Sequence, residues 1–138
     1  MTNNLMHKVL PQEINDGCLL CVFEYGKQIP FTVKRAYYIS KSLPVNKRGY
    51  HAHHKLEQIL ICIKGSVKVI ADDGNSREER TLKGPSDAVY LRALTWHELS
   101  EIDEETILLF LASEIYEAKD YIYSYPEFLK AKRKVSHI

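Results

Sequence analysis

Short runs that are either continuously apolar or alternately apolar and polar cover most of this chain, and turn residues separate them. Residues 66–82 predict a hairpin, because Asp73 and Gly74 form a strong turn signal between two alternating runs. Turn signals recur roughly every 8 to 15 residues, a spacing that favours an all-β sandwich or barrel. Further runs predict single β-strands, at residues 18–24, 31–40, 58–65, 87–91 and 106–113.

The C-terminal region, about residues 117–134, is the part of the chain with a helical pattern, and Pro126 predicts a break within it. The expected architecture is therefore a β-barrel followed by a short helical segment. At this length, residues 1–138 are expected to form a single domain around one core. A barrel of this size can hold one small ligand at its mouth.

Composition and charge argue against several classes of protein. The net charge of +1 gives no large basic field for nucleic acid, and the basic run 130–134 is short. No apolar run reaches the roughly 20 residues of a membrane helix, and residues 1–13 lack the apolar core of a signal peptide. Cys18, Cys21 and Cys62 show no disulfide pattern, so we interpret them as reduced packing residues of a cytoplasmic protein.

The stretch "RGYHAHHKLEQ", residues 48–58, holds three of the six histidines. In an extended segment, residues two apart share a face. His51 and His53 are therefore expected on one face, and His54 is expected on the other, at the surface. If the shared face is the barrel interior, His51 and His53 can reach a bound ligand.

Two other segments offer residues of the same chemical type. His97 lies in "TWHEL", just after the predicted strand 87–91, and Arg35 and Tyr37 share one face of the run 31–40. A lone histidine is more often structural or exposed than functional. The His-x-His spacing, a third histidine and an Arg-x-Tyr strand together favour a site.

These motifs resemble the dTDP-sugar 3,4-ketoisomerases, a family with the cupin fold. The similar runs are "IPFTVKRAYYI", "RGYHAHHKLEQILICIKGSVKVIADDG" and "WHEL", and the resemblance extends from about residue 16 to residue 125. It implies a cupin-type jelly-roll barrel, usually a homodimer, that acts on dTDP-4-keto-6-deoxyglucose. The product would be a dTDP-3-keto-6-deoxyhexose for deoxy-amino sugars of surface polysaccharides, including lipopolysaccharide O-antigens.

The residue types suit this reaction independently of the resemblance. Moving a ketone from C4 to C3 requires removal of the C3 proton, formation of an enediol(ate) and return of a proton at C4. A base with a pKa near neutrality is needed, and histidine meets that requirement. No redox cofactor is needed, and the chain has no glycine-rich nucleotide loop.

The resemblance also implies roles for individual residues. His51 is expected to be the base nearest C3, with His53, Tyr37 and His97 as its partners around the hexose. A further set is expected to bind substrate, with a guanidinium suited to the pyrophosphate: Arg35, Arg48 and Gln58.

Several alternatives stay open from the sequence. Many family members carry Asp-x-Arg-Gly near the first strand, where this chain has "NDGC". His97 matches the type associated with galacto products, but the missing arginine leaves the C4 configuration undecided. A dTDP-sugar 3,5-epimerase and a non-catalytic sugar-binding cupin are two rival functions. A third is a metal-dependent cupin that uses four ligands: His51, His53, Glu57 and His97.

Overall fold

The computed structural model describes residues 5–42 and 47–136. The single-domain prediction for residues 1–138 therefore extends beyond the described part of the chain. Twelve strands and one α-helix are present among the described residues. The first six strands are β1 His7–Val9, β2 Gln12–Asn15, β3 Leu19–Val22, β4 Arg35–Ile39, β5 Arg48–His53 and β6 Gln58–Lys64. The rest are β7 Ser66–Asp72, β8 Arg77–Lys83, β9 Ala88–Leu91, β10 Trp96–Ser100, β11 Ile107–Ala112, β12 Tyr121–Ile122 and helix α1 Tyr125–Ser136.

Two antiparallel five-stranded sheets form the barrel. One has the order β1-β9-β6-β11-β4, and the other has the order β12-β5-β10-β7-β8. The buried side chains between them come from both sheets, for example Leu60 and Phe110 from the first and Val69 and Leu99 from the second. The predicted all-β jelly-roll with a short C-terminal helix is confirmed.

The outer faces of both sheets are also partly covered. Ile59 and Ile61, which alternate with Leu60 along β6, pack against Ile29 and Phe31 outside the first sheet. Burial on both faces explains why β6 is apolar at nearly every position. Outside the second sheet, Ala52, Trp96 and Ile122 pack against Phe128 of α1, so the helix holds β12 beside β5.

Two predictions about local structure were wrong. Pro126 does not break the C-terminal helix, because it lies in the first turn of α1. Proline is well tolerated there, since the amide it lacks would have no helical partner. A short 3₁₀ helix, Ala118–Asp120, and β12 precede α1, whereas the sequence pattern predicted helix from about residue 117 with a break at Pro126.

The interpretation of "CLLCVF" as a buried packing strand was also wrong. Strand β3 pairs with β2 in a separate two-stranded sheet, and Leu19 and Leu20 are 42% and 52% exposed. Cys18 is exposed and Cys21 is half-buried, although both are free thiols as expected. An apolar run alone does not show whether the strand is buried in the core of the barrel or exposed outside it.

Candidate functional site

An irregularity in the pairing of β5 with β10 creates the centre of the site. His51 lies opposite His97, but the next pair is Gly49 with Glu98, so Tyr50 has no partner and forms a bulge. Gly49 and Tyr50 both have positive φ, of 86° and 58°. A Cβ at Gly49 would lie 3.0 Å from the carbonyl oxygen of His97, so glycine permits both the turn and the close approach of the strands.

Three histidine rings meet at this bulge. The ring centroid of His51 lies 4.8 Å from that of His53 and 4.5 Å from that of His97. The Nε2 atoms of His51 and His53 are 3.1 Å apart, and the Nδ1 atom of His51 donates to the carbonyl oxygen of Gly49 at 3.0 Å. His54 is exposed, so the prediction that it lies on the opposite face is confirmed.

A hydrogen-bonded chain links His97 to the first sheet. The Tyr37 hydroxyl donates to Oε1 of Gln58 at 3.1 Å, and Nε2 of Gln58 donates to Nε2 of His97 at 3.3 Å. Nδ1 of His97 faces the carbonyl oxygen of Thr95 at 3.4 Å. Because a carbonyl only accepts, His97 has its proton on Nδ1, and Gln58 fixes the rotamer of both Tyr37 and His97.

Arg35 is surrounded by aromatic rings beside the histidines. Its guanidinium carbon lies 5.0 Å from the ring centre of Tyr37 and 5.6 Å from that of Tyr116. One terminal nitrogen donates to the Tyr121 hydroxyl at 3.2 Å. Nε is buried and has no hydrogen-bond partner among the described residues.

A cavity of about 750 Å³ opens onto these groups at the mouth of the barrel. Of the predicted site residues, Arg35, Tyr37, Arg48, His51 and His97 line it. His53 and Gln58 are 3% and 2% exposed and lie behind these lining side chains. The volume is in the range of sites that bind small molecules.

Burial dominates the electrostatics of the site. Desolvation lowers the pKa of His51 from its ordinary value, partly opposed by the hydrogen bond to Gly49. Desolvation, with the neighbouring His51, also lowers the pKa of His53, although Asp120 acts in the opposite direction. The pKa of His97 lies well below its ordinary value for the same reason. The three imidazoles are therefore neutral at pH 7, and each has an unprotonated nitrogen.

Tyr37 is the matching proton donor in this cluster. Desolvation, together with the nearby Tyr121, raises the pKa of the Tyr37 phenol to about 12. The hydroxyl therefore keeps its proton at pH 7, while each neutral imidazole has one nitrogen that can accept a proton. The cluster thus combines several weak bases with a neutral acid, which is the combination that proton transfer between neighbouring atoms requires.

The four-ligand metal set anticipated for a metal-dependent cupin does not assemble. One nitrogen from each of His51, His53 and His97 lies within 4.8 Å of the other two, which also suits a divalent transition metal. Glu57 is not part of this group, because its carboxylate accepts a hydrogen bond from the Tyr90 hydroxyl. Glu57 therefore does not complete the four-ligand set of the metal-dependent alternative.

Sequence reasoning missed two residues that contact the cluster. The Tyr121 ring lies 4.4 Å from that of His53 and 5.1 Å from that of His51, measured between centroids. Oδ2 of Asp120 lies 3.4 Å from Nδ1 of His53. The alternating tyrosines of "YIYSY" could have indicated that Tyr121 and Tyr123 share a face. No local pattern could place Asp120, which is 67 positions after His53.

The comparisons with known proteins agree with this geometry. The model of a protein family described as "FdtA: WxcM-like, C-terminal" matches residues 3–133. A TDP-4-oxo-6-deoxy-alpha-D-glucose-3,4-oxoisomerase from Aneurinibacillus thermoaerophilus is 42% identical over 117 residues, which are 85% of this chain and 84% of that protein.

Two solved structures of QdtA, a sugar 3,4-ketoisomerase from Thermoanaerobacterium thermosaccharolyticum, are also similar. The complex with TDP is 36% identical and superposes with a TM-score of 0.89, covering 97% of this chain and 98% of the other. A histidine-to-asparagine mutant in complex with TDP-4-keto-6-deoxyglucose is 36% identical with a TM-score of 0.88, covering 97% of each chain. The resemblance seen in the sequence motifs is confirmed, and the chain belongs to the FdtA family of WxcM-like proteins.

Proposed function

We propose that this protein is a sugar-nucleotide 3,4-ketoisomerase that converts dTDP-4-keto-6-deoxyglucose into a dTDP-3-keto-6-deoxyhexose. The observation that carries the proposal is the cavity in which neutral imidazoles, a protonated phenol and two guanidiniums converge. The similarity to 3,4-ketoisomerases over most of the chain supports the same activity. A 3,5-epimerase would have to act on C–H bonds at C3 and C5, whereas the relatives at 36–42% identity act between C3 and C4.

The reaction needs one base and one proton relay. His51 removes the proton from C3, the C3–H electron pair forms the C3=C4 bond, and the C4 carbonyl becomes an enediolate oxygen that takes up a proton. The hydroxyl on C3 then loses its proton, the new carbonyl forms at C3, and C4 accepts a proton. Atoms and charge balance without a redox partner. Tyr37 and His97 are proposed to exchange the oxygen-bound protons, and the side chain of Gln58 hydrogen-bonds to both of them.

The nucleotide is proposed to lie at the outer part of the cavity. Arg35 and Arg48 both line it, and a guanidinium binds phosphate oxygens through two parallel charge-assisted hydrogen bonds. Arg35 is half-buried among aromatic rings, whereas Arg48 is exposed at the start of β5. Gln58 is buried behind Tyr37, so its expected role in substrate binding is proposed to act through Tyr37 and His97.

The activity is proposed to need no metal ion, because His51 and Tyr37 already supply a base and an acid. The test measures bound metal and turnover of the purified protein before and after chelation. Turnover that survives chelation supports the acid–base mechanism. Stoichiometric metal, with activity lost on chelation and restored on refilling, would establish the metal-dependent alternative at His51, His53 and His97.

The assembly is inferred to be a homodimer, and the β2–β3 hairpin supports this inference. Ile14, Leu19 and Leu20 are each more than 40% exposed on it, and an isolated two-stranded hairpin is marginally stable in water. A second copy could cover these side chains, and light scattering during gel filtration would show the mass.

The biological setting stays a proposal as well. None of the helices among the described residues is long and apolar enough to cross a membrane. A cytoplasmic location and a role in deoxy-amino-sugar and O-antigen biosynthesis are inferred from the proposed substrate. That residues 1–138 form one cupin domain also remains a prediction.

The direct test is incubation of the protein with dTDP-4-keto-6-deoxyglucose, with the product followed by NMR. A new 3-keto product supports the proposal, and the coupling pattern at C4 gives its configuration. Binding of the nucleotide sugar without turnover would favour the non-catalytic sugar-binding alternative.

A further inference from the structure

Arg35 lies where the edge strands of the two sheets approach each other, and three tyrosine side chains contact it. It begins β4, the edge strand of the first sheet, and it donates at 3.2 Å to the hydroxyl of Tyr121 on β12, the edge strand of the second sheet. Its guanidinium carbon lies 5.0 Å from the ring centre of Tyr37 and 5.6 Å from that of Tyr116. Both distances are within the roughly 6 Å range of a cation–π contact. The guanidinium is therefore restrained by groups from both sheets.

Tyr116 is itself held in place, because the segment that connects β11 to β12 is fixed at both ends. At its start, the amide of Ser113 donates to the carbonyl oxygen of Glu57 at 2.9 Å, and the Ser113 hydroxyl accepts from the Glu57 amide at 2.8 Å. At its end, the Asp120 carboxylate accepts from the amides of residues 55–56 at 2.8 and 3.2 Å. The backbone thus positions Tyr116 although its side chain is 61% exposed.

The contacts of Tyr116 are with Arg35 and with Tyr121, whose ring centroid is 5.6 Å from its own. Arg35 and Tyr121 both line the cavity at the barrel mouth, whereas Tyr116 is not among the described residues that line it. An effect of Tyr116 on a ligand in the cavity must therefore pass through these two neighbours.

Restraint of the guanidinium matters for the binding of phosphate. An unrestrained arginine side chain samples many rotamers, and it loses that freedom when it binds a ligand. A guanidinium that is already held in one orientation loses less, so it binds more tightly. Its planar arrangement of N–H groups must also match the phosphate oxygens, which makes orientation part of the affinity.

We propose that Tyr116 and Tyr121 are positioning residues that hold the guanidinium of Arg35 in the orientation that binds the phosphate groups of the nucleotide, an inference that rests on the proposed function of the site. Tyr121 acts through its hydroxyl, which accepts a hydrogen bond, and Tyr116 acts through the face of its ring. Both contribute to nucleotide affinity, whereas the proton transfers at the sugar depend on other groups.

Two variants remove these contacts separately. Tyr121→Phe removes the hydroxyl that accepts from Arg35 but keeps the ring beside the histidines. Loss of a hydrogen bond to a charged group should weaken dTDP binding about 10-fold. Tyr116→Leu removes the aromatic face but keeps an apolar side chain, and it should weaken binding about 3-fold. Isothermal titration calorimetry measures both affinities, and kcat at saturating substrate should stay near the wild-type value.

A conservative variant and a neighbouring control separate this role from a structural one. Tyr116→Phe keeps the aromatic ring, so it should restore the affinity that Tyr116→Leu loses. Ile115→Ala changes the preceding residue, which is 68% exposed, and should leave dTDP affinity and turnover unchanged. Equal losses in Tyr116→Leu and Ile115→Ala would mean that the segment is merely disturbed, and would overturn the proposal.

The deciding measurement combines Tyr116→Leu with Arg35→Ala. If Tyr116 acts through Arg35, Tyr116→Leu should cause no further loss of dTDP affinity once Arg35 is alanine. Additive losses overturn the proposal, and so does an unchanged affinity in Arg35→Ala. Since Tyr116 is largely exposed, this cycle still decides the proposal if Tyr121→Phe does not fold. A wild-type protein that binds dTDP but does not isomerise the sugar instead refutes the proposed function, and the affinities of the variants still decide this inference.

Discussion

Two cavities of this fold lie on opposite sides of the second sheet, and they differ in chemistry more than in size. The cavity at the barrel mouth, of about 750 Å³, is lined by Arg35, Tyr37, Arg48 and His51. The groove beside α1 is larger, at about 940 Å³, and is lined by residues such as His54, Lys130 and Arg133. Both contain a histidine of the "HAHH" run, but the mouth also contains His97, Tyr37 and Arg35.

The difference shows what turns a polar cavity into a site. At the mouth, each ring has a fixed hydrogen-bond partner, as in the Tyr37–Gln58–His97 chain. In the groove, His54 is exposed, and Lys130 pairs with Glu127 on the same helix at 3.4 Å. Exposed pairs of this kind contribute little to stability. Burial, which shifts the pKa of His51 and Tyr37, therefore distinguishes the mouth better than its volume does.

The sharpest test of this comparison replaces one histidine from each side. His51→Asn removes the base but keeps a polar side chain of similar size, so turnover should fall by about 10²-fold or more. The dTDP affinity should change little, because the nucleotide is expected to lie away from the hexose. His54→Asn is the matched control and should leave turnover nearly intact. Steady-state kinetics and calorimetry measure both quantities, and a dead His54→Asn with a normal His51→Asn would invert the assignment of the two faces.

A second test compares cations of the two cavities. Arg35→Ala and Arg48→Ala should weaken dTDP binding, with at least one of them causing a loss of roughly 10-fold, because charge-assisted hydrogen bonds to phosphate are lost. Lys130→Ala, in the groove beside α1, should leave dTDP affinity unchanged. Isothermal titration calorimetry gives the three affinities. Weaker binding in Lys130→Ala alone would place the nucleotide in the groove.

The buried histidines also predict how stability depends on pH. The folded pKa of His51, His53 and His97 is lowered by burial, so the unfolded chain binds more protons below the ordinary value of about 6.5. The free energy of unfolding should therefore reach its full value above that pH. It should decrease as the pH falls towards the pKa values of these histidines in the folded protein. Each such histidine contributes up to roughly 1.4 kcal/mol per pH unit in this window.

His97→Asn should show a weaker pH dependence of the free energy of unfolding than the wild-type protein, because one buried titrating group is removed. His54→Asn should retain the wild-type dependence. Urea unfolding at several pH values between about 7 and 5 measures both slopes. Identical slopes in His97→Asn and the wild-type protein would mean that His97 is not kept neutral by burial.

The smallest expected effect concerns activity over the same pH range. The value of kcat/KM should stay nearly constant from about pH 8 to 6.5, because His51 is unprotonated there, and it should decline at lower pH as the base is protonated. A pH–rate profile measures this, and a decline that begins above pH 7 would contradict the lowered pKa of His51.

The sequence by itself determined the local features of this protein. Alternation along 48–54 placed His51 and His53 together and His54 on the other face, because successive side chains of a strand point in opposite directions. The runs at 58–65 and 106–113 and the Asp73–Gly74 turn specified strands and a hairpin, and the combined motifs indicated the family. These features depend on residues that are close together in the sequence, so the local backbone conformation is enough to set their relative positions.

Only the tertiary structure decided which distant groups meet. Asp120 reaches His53 because β12 pairs with β5, and Gln58 reaches both Tyr37 and His97 because β6 lies where the two sheets face each other. Glu57 was directed away from the histidines for the same reason, and "CLLCVF" formed a hairpin outside the barrel. Contacts of this kind result from many weak interactions between segments that are far apart in the chain, so no local pattern encodes them.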